Sequence, residues 1–136
     1  IRLGMAFMSP QIVNLFNKVK YPYNINLLTQ QKASDVLSEI SKLQQRVNMI
    51  IEARGYLIDA FRQLPICVKV YPTDSNFFLV KMTDANSIYE YLVSNGIIVR
   101  NRSHVELCGD CLRITIGTNE ENRILLSALR KYRPNL

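Results

Sequence analysis

From Asn26 to Pro65 apolar residues recur at helical spacing, and a run of that length restricts what the chain can fold into more than any other feature. Val36, Ile40, Leu43, Val47 and Ile50 step by four and three, and the rhythm resumes after Arg54 at Leu57, Phe61 and Leu64. Asp35, Glu39, Lys42, Gln45, Arg46 and Glu52 fall on the polar face. Pro65 stops the run, because its ring clashes with the preceding turn. With room for a break at Ser38 to Ser41, the whole spans on the order of 50 Å at about 1.5 Å per residue. A small domain needs no helix of that length. It is either a connector between two domains or half of a coiled coil whose seam Arg54-Gly55 interrupts.

The flanks differ in grammar. Arg2 to Met8 is short and apolar and reads as a strand. Ser9 then suits an N-cap and Pro10 a first helical position, and Ile12, Val13, Leu15, Phe16 and Val19 supply an apolar stripe. Tyr21-Pro22-Tyr23-Asn24 breaks that helix. Beyond Pro65 come two strands, Cys67 to Tyr71 and Asn76 to Met82, around the turn residues Pro72 to Ser75. Asp84 caps a helix through Ser94, which Asn95-Gly96 ends. Ile97 to Arg100 and Leu112 to Gly117 are strands, and Asn119 to Tyr132 is a helix with Ile124, Leu125, Ala128 and Leu129 inward. The order β-β-α-β-β-α predicts an α+β domain, an open sheet with helices on one face.

Composition excludes several classes. The chain has 136 residues, 48% of them hydrophobic and 21% charged, which is one globular domain's worth and neither disordered nor a membrane span. There is no signal-peptide pattern, and the chain opens on Ile1 within an apparent strand, which suggests a fragment. A formal charge of +6 from scattered Lys and Arg fits nucleic acid, phosphorylated small molecules or an ordinary solvated surface. Three cysteines are too few for a disulfide scaffold and point to a reducing cytoplasm.

Candidate sites are few. Cys108-Gly-Asp-Cys111 lacks the further ligands that zinc requires, and Cys111 leads into a strand where a redox motif would open a helix. His104 stands alone in a loop with no nucleophile at useful spacing. No phosphate-binding glycine loop occurs, and Phe77 and Phe78, being adjacent, face opposite sides, so the sheet lacks the aromatic pattern of an RNA-recognition surface. Arg100 and Arg113 remain, each on a strand of the small sheet. Either they are solvated charges, or they converge on an anion, which the five-donor guanidinium fork suits.

Several stretches bear on that choice: IRLGMAF at the start, PYNIN at 22–26, SNFFLVK at 75–81, GIIVRNRS at 96–103 and CLRITIGTNEEN at 111–122. In this order, over nearly the whole chain, they resemble the C-terminal part of the histidinol-phosphate aminotransferases, a branch of the fold type I pyridoxal-phosphate enzymes. The resemblance implies transfer of an amino group from L-glutamate to imidazole-acetol phosphate, giving L-histidinol phosphate and 2-oxoglutarate. It implies a cytoplasmic homodimer whose partners are these small molecules, with neither nucleic acid nor membrane. Pyridoxal 5'-phosphate would be the cofactor of the longer protein and would not bind this chain alone. The Schiff-base lysine would lie before residue 1, leaving the chain inactive and with no catalytic residue of its own. Arg2 matches the arginine that binds the cofactor phosphate. Arg113 matches the substrate-anion arginine, and Arg100, thirteen residues earlier, its companion, with Arg102 as the rival for that second place. The implied division is 1–26 as a remnant of the large cofactor-binding domain, 27–65 as the connecting helix and 66–136 as the small α+β domain. Two other readings stay open: a related aminotransferase with another amino-acid substrate, and a non-enzymatic basic module that binds nucleic acid.

Overall fold

A computed structural model of the chain describes residues 3–4 and 6–133. Contacts divide the chain into two compact units, Ile1–Arg46 and Val47–Leu136. The first unit begins without regular structure at 3–4 and 6–9, where a strand was expected. A strand needs a ladder partner, and all the strands among the described residues lie in the second unit. Helix α1 (Pro10–Val19) starts as the Ser-Pro pair predicts, with the Val13 amide bonded to the Ser9 carbonyl at 3.0 Å, but the Ser9 side chain makes no capping bond. Helix α2 (Leu27–Ser38) is capped by Asn26, whose Oδ1 accepts from the Thr29 amide at 2.8 Å.

The long helical run is broken once. The Ser38 hydroxyl donates to the Asp35 carbonyl at 2.8 Å, Glu39 leaves the helical region (φ −116°, ψ 51°), and helix α3 (Ile40–Arg62) follows. A serine hydroxyl bonded back to the preceding turn competes with the helical ladder, and this break falls inside the Ser38–Ser41 window. Gly55 does not break α3. Beside it, Arg54 donates to the Ser75 carbonyl at 2.9 Å and ties the helix to the following hairpin.

The second unit is the α+β domain that the element order predicted. Strands β1 (Cys67–Val70) and β2 (Phe77–Met82) form an antiparallel hairpin. Thr73 shapes its turn, donating to the Phe77 carbonyl at 2.8 Å and accepting from the Ser75 amide at 3.1 Å. Helix α4 (Ala85–Ser94) leads to a two-residue strand β3 (Arg100–Asn101), then β4 (Cys111–Thr115) and helix α5 (Asn119–Lys131). Strand order is β1-β2-β4-β3 with all neighbours antiparallel.

One strand is shifted from its expected place. Ile97 to Val99 are not in the ladder, because Gly96 (φ +74°) turns the chain and the Gly96 and Ile97 amides return to Val93 and Leu92 to close α4. Gly96 therefore ends the helix in a Schellman geometry, and the strand can begin only after it.

Alternation sorts the sheet's two faces. Phe78, Val80 and Met82 of β2 and Leu112 and Ile114 of β4 are buried against Leu57 and Phe61 of α3, Ile88 and Leu92 of α4, and Leu125 and Leu129 of α5. Phe61 meets Phe78 edge to face, with centroids 5.0 Å apart and an interplanar angle of 81°, a geometry the ring quadrupoles favour. All three helices thus cover one face, and the other face is left to the residues between: Phe77, Leu79, Lys81, Arg113 and Thr115.

The β4–α5 junction is tied by side-chain bonds to the backbone. Thr118 and Glu121 form a capping box. Asn122, buried, both accepts from the Gly117 amide and donates to the Gly117 carbonyl, each at 3.0 Å. A side chain at position 117 would meet Glu121 Oε2 at 2.8 Å, so only glycine allows this close approach.

Candidate functional site

The β2–β4–β3 register decides which polar side chains meet on the uncovered face. Arg113 lies directly between Leu79 of β2 and Arg100 of β3. Directly opposed residues of an antiparallel pair project to the same side, so Arg100 and Arg113 share this face as near neighbours. The ladder extends one residue beyond β3: the Arg102 amide donates to the Cys111 carbonyl at 2.8 Å. Arg102 therefore stands opposite Cys111, two residues from Arg100 and on the same face, while Lys81 flanks Cys111 from the other side.

Arg113 is the most constrained of the group. Its guanidinium carbon sits 4.7 Å from the centroid of the Phe77 ring, a cation–π contact that holds the charged head against the sheet. Its Nε is sealed from solvent and has no hydrogen-bond partner. Burial, then the Arg100 and Arg102 guanidinium charges, hold Arg113 below the ordinary arginine range. Among the described residues the ion pairs are three exposed i,i+3 helix pairs, and none involves these arginines. The face therefore gathers cations around a half-buried guanidinium that no carboxylate among the described residues pairs, which is what an anion-binding surface requires.

The backbone beneath the cluster is held by residues that sequence reading passed over. Asn101 points to the opposite face, where its Nδ2 donates to Asn86 Oδ1 of α4 at 2.7 Å. Its Oδ1 accepts from the Ser103 amide at 2.9 Å, forming a turn just after the strand. The sequence pattern treats Phe77 only as a base-stacking candidate, whereas in the structure its ring lies under the Arg113 guanidinium. The alternating NFFLVKM pattern placed it on the sheet's second face, but only the register puts it beside Arg113. Adjacent Phe78 is fully buried, as the alternation required.

The other sequence candidates are placed as follows. His104 is exposed, in the loop after Arg102. Cys108 and Cys111 are free thiols at the two ends of a tight turn. Burial pushes the Cys111 thiol up, and the neighbouring Cys108 adds to this, the reverse of what a reactive thiolate needs. Arg2 lies outside the described residues. No helix among the described residues is long and apolar enough to cross a membrane.

Residues 1–129 match the family described as aminotransferase class I and II. The histidinol-phosphate aminotransferase of Bacteroides fragilis is 53% identical over 132 residues, covering 97% of this chain and 38% of that protein. The enzyme of the same name from Bacteroides thetaiotaomicron is 52% identical over 132 residues, again 97% of this chain and 38% of that protein. The chain thus spans about 38% of the length of these curated relatives. In fold, it matches the crystal structure of the histidinol-phosphate aminotransferase from Clostridium acetobutylicum with a TM-score of 0.78 at 20% identity, covering 88% of this chain and 37% of that one.

Proposed function

We propose a function from the premise that this chain belongs to the aminotransferase class I and II family. The chain serves as the C-terminal part of an enzyme that moves the amino group of L-glutamate to imidazole-acetol phosphate, giving L-histidinol phosphate and 2-oxoglutarate. The observation that carries the reading is Arg113 beside Arg100 on one sheet face, its guanidinium over the Phe77 ring and in no ion pair among the described residues. Identity of 53% to the Bacteroides fragilis histidinol-phosphate aminotransferase supports the choice of substrate.

In this reading the two arginines hold whichever anion the substrate presents. Glutamate is held by carboxylate, and the imidazole substrate by its phosphate, so one clamp serves both half-reactions. Bidentate guanidinium contacts fix distance and orientation as well as charge. Pyridoxal 5'-phosphate, when bound, supplies the electron sink for amino transfer. Arg2 is assigned to its phosphate, and the lysine that handles the substrate proton is assigned to sequence before residue 1, so the 136-residue chain alone is inactive. Residues 1–26 go with the large cofactor-binding portion, 27–65 form the connection, and 66–136 are the small domain. The exposed apolar side chains of α1, Ile12, Leu15, Phe16 and Val19, support that division, since they lack cover here. A homodimer in the cytoplasm completes the proposal.

Steady-state kinetics on the longer protein that carries this chain test it. L-Histidinol phosphate should be preferred over L-histidinol and over aromatic amino acids. Arg113→Gln should lower kcat/KM for the phosphorylated substrate by about 10²-fold, on the order of 3 kcal/mol for a lost charge-assisted pair. Equal rates with and without the substrate phosphate would point instead to an aminotransferase with another amino-acid substrate.

A further inference from the structure

We propose that Arg102 is a third anion-binding residue of this sheet face, closing with Arg100 and Arg113 on a single doubly charged phosphate. The inference rests on the anion-clamp reading above and adds a third residue to it.

Position is the first argument. Arg102 continues the β3–β4 ladder through its amide bond to Cys111 and is two residues beyond Arg100, so both side chains leave the same face about 6.6 Å apart along the strand. Long guanidinium side chains at that spacing reach a common point above Arg113. Next comes anchoring. The two Asn101 side-chain bonds, to Asn86 and from Ser103, hold the backbone on either side of Arg102, which is half-buried where a solvated surface arginine would be free.

Charge supplies the third argument. The groups facing this point are Arg100, Arg113 and Lys81, with exposed His104 and Asp110 in the adjoining loop. None of the ion pairs among the described residues reaches Arg102. Burial first, and then the charges of both Arg100 and Arg102, shift Arg113 against its charged form, so the three share one electrostatic field. A carboxylate offsets one of these charges with two acceptor oxygens. A phosphate monoester offsets two and offers three, which matches three forks.

The test titrates the 136-residue chain at pH 8, following the amide resonances of Arg102 and Arg113 by NMR. Three probes are used: methyl phosphate, a dianion there because its second pKa is near 6; dimethyl phosphate, a monoanion of the same phosphorus geometry; and acetate. Wild-type chain should bind methyl phosphate at least tenfold more tightly than the other two. Arg102→Gln should weaken methyl phosphate about tenfold, as expected for one charge-assisted contact, while dimethyl phosphate and acetate change less than about twofold. Arg102→Lys should restore part of the loss. If Arg102→Gln leaves methyl phosphate untouched while Arg113→Gln abolishes it, the third contact is refuted and the pair stands. Equal weakening of all three probes would reduce Arg102 to a background charge and also refute the proposal. A wild-type chain that binds no methyl phosphate would remove the clamp itself, and Arg102's part with it.

Discussion

Arg113 shows why a charged residue on a sheet can be read as functional. Folding places its guanidinium partly out of water, against Phe77 and beside two more cations, and no ion pair among the described residues involves it. A structural arginine in such a place would be paired, since an unpaired buried charge is costly. The direction of the shift is consistent with this, and solvent screening keeps its effect on stability small. A base held below its ordinary range destabilises the fold as long as it is protonated, and arginine is protonated throughout the accessible pH range. Arg113→Gln in anion-free buffer should therefore alter stability by less than about 1 kcal/mol, and in the stabilising direction if at all. Chemical denaturation checks this, and a loss above about 2 kcal/mol would make Arg113 a structural residue. Arginine at 100 and at 113 was legible in the sequence as a pair of strand cations, and resemblance gave them a role. Their direct opposition, and the Phe77 platform, required the ladder.

At the scale of elements, the domain relies on caps that place the site-bearing strands. Asp84 opens α4 by accepting from the Ser87 amide at 3.0 Å, and Gly96 closes it. Only then does the chain reach β3. Replacing Gly96 with alanine at φ +74° forces a β-carbon into the left-handed region, at a cost of about 1 kcal/mol. At the start of α5, Glu121 accepts from both the amide and the hydroxyl of Thr118, at 2.7 and 2.8 Å. These bonds hold the Glu121 carboxyl below its usual range, and the Ser87 bonds do the same for Asp84. For a depressed carboxylate, the stabilising contribution is complete above the ordinary carboxylate range and disappears as pH falls through the lowered value. The urea midpoint should therefore hold steady from neutral to mildly acidic pH and drop below the ordinary carboxylate range. Glu121→Gln should shallow that drop, and an unchanged acid profile would show that the capping box carries no linked proton. Helix starts at Ser9-Pro10, Asn26, Asp84 and Thr118 lie where local chemistry puts them. Strand β3 departed from expectation because the Ile97 amide was already committed to ending α4.

In the molecule as a whole, burial is confined to one unit. The buried residues among those described run from Leu57 onward, and the apolar stripe of α1 stays exposed. Residues 47–136 expressed alone should accordingly unfold in one cooperative thermal transition. Phe78→Ala should cost that transition about 3–5 kcal/mol, since Phe78 is fully buried against Phe61. A gradual, non-cooperative melt of 47–136 would mean that the core depends on the first unit. The amino-acid sequence by itself determined the α+β class, the order of elements beyond Pro65, the Asp84 cap and the opposite sides of Phe77 and Phe78, because these follow from periodicity and from bonds within a few residues. It also carried, through motif resemblance, the family. Only the tertiary structure decided which residues face one another: strand order β1-β2-β4-β3, Arg113 between Leu79 and Arg100, and Arg102 opposite Cys111. Register between strands distant in sequence is set by packing of the whole sheet against its helices, and no local pattern encodes it.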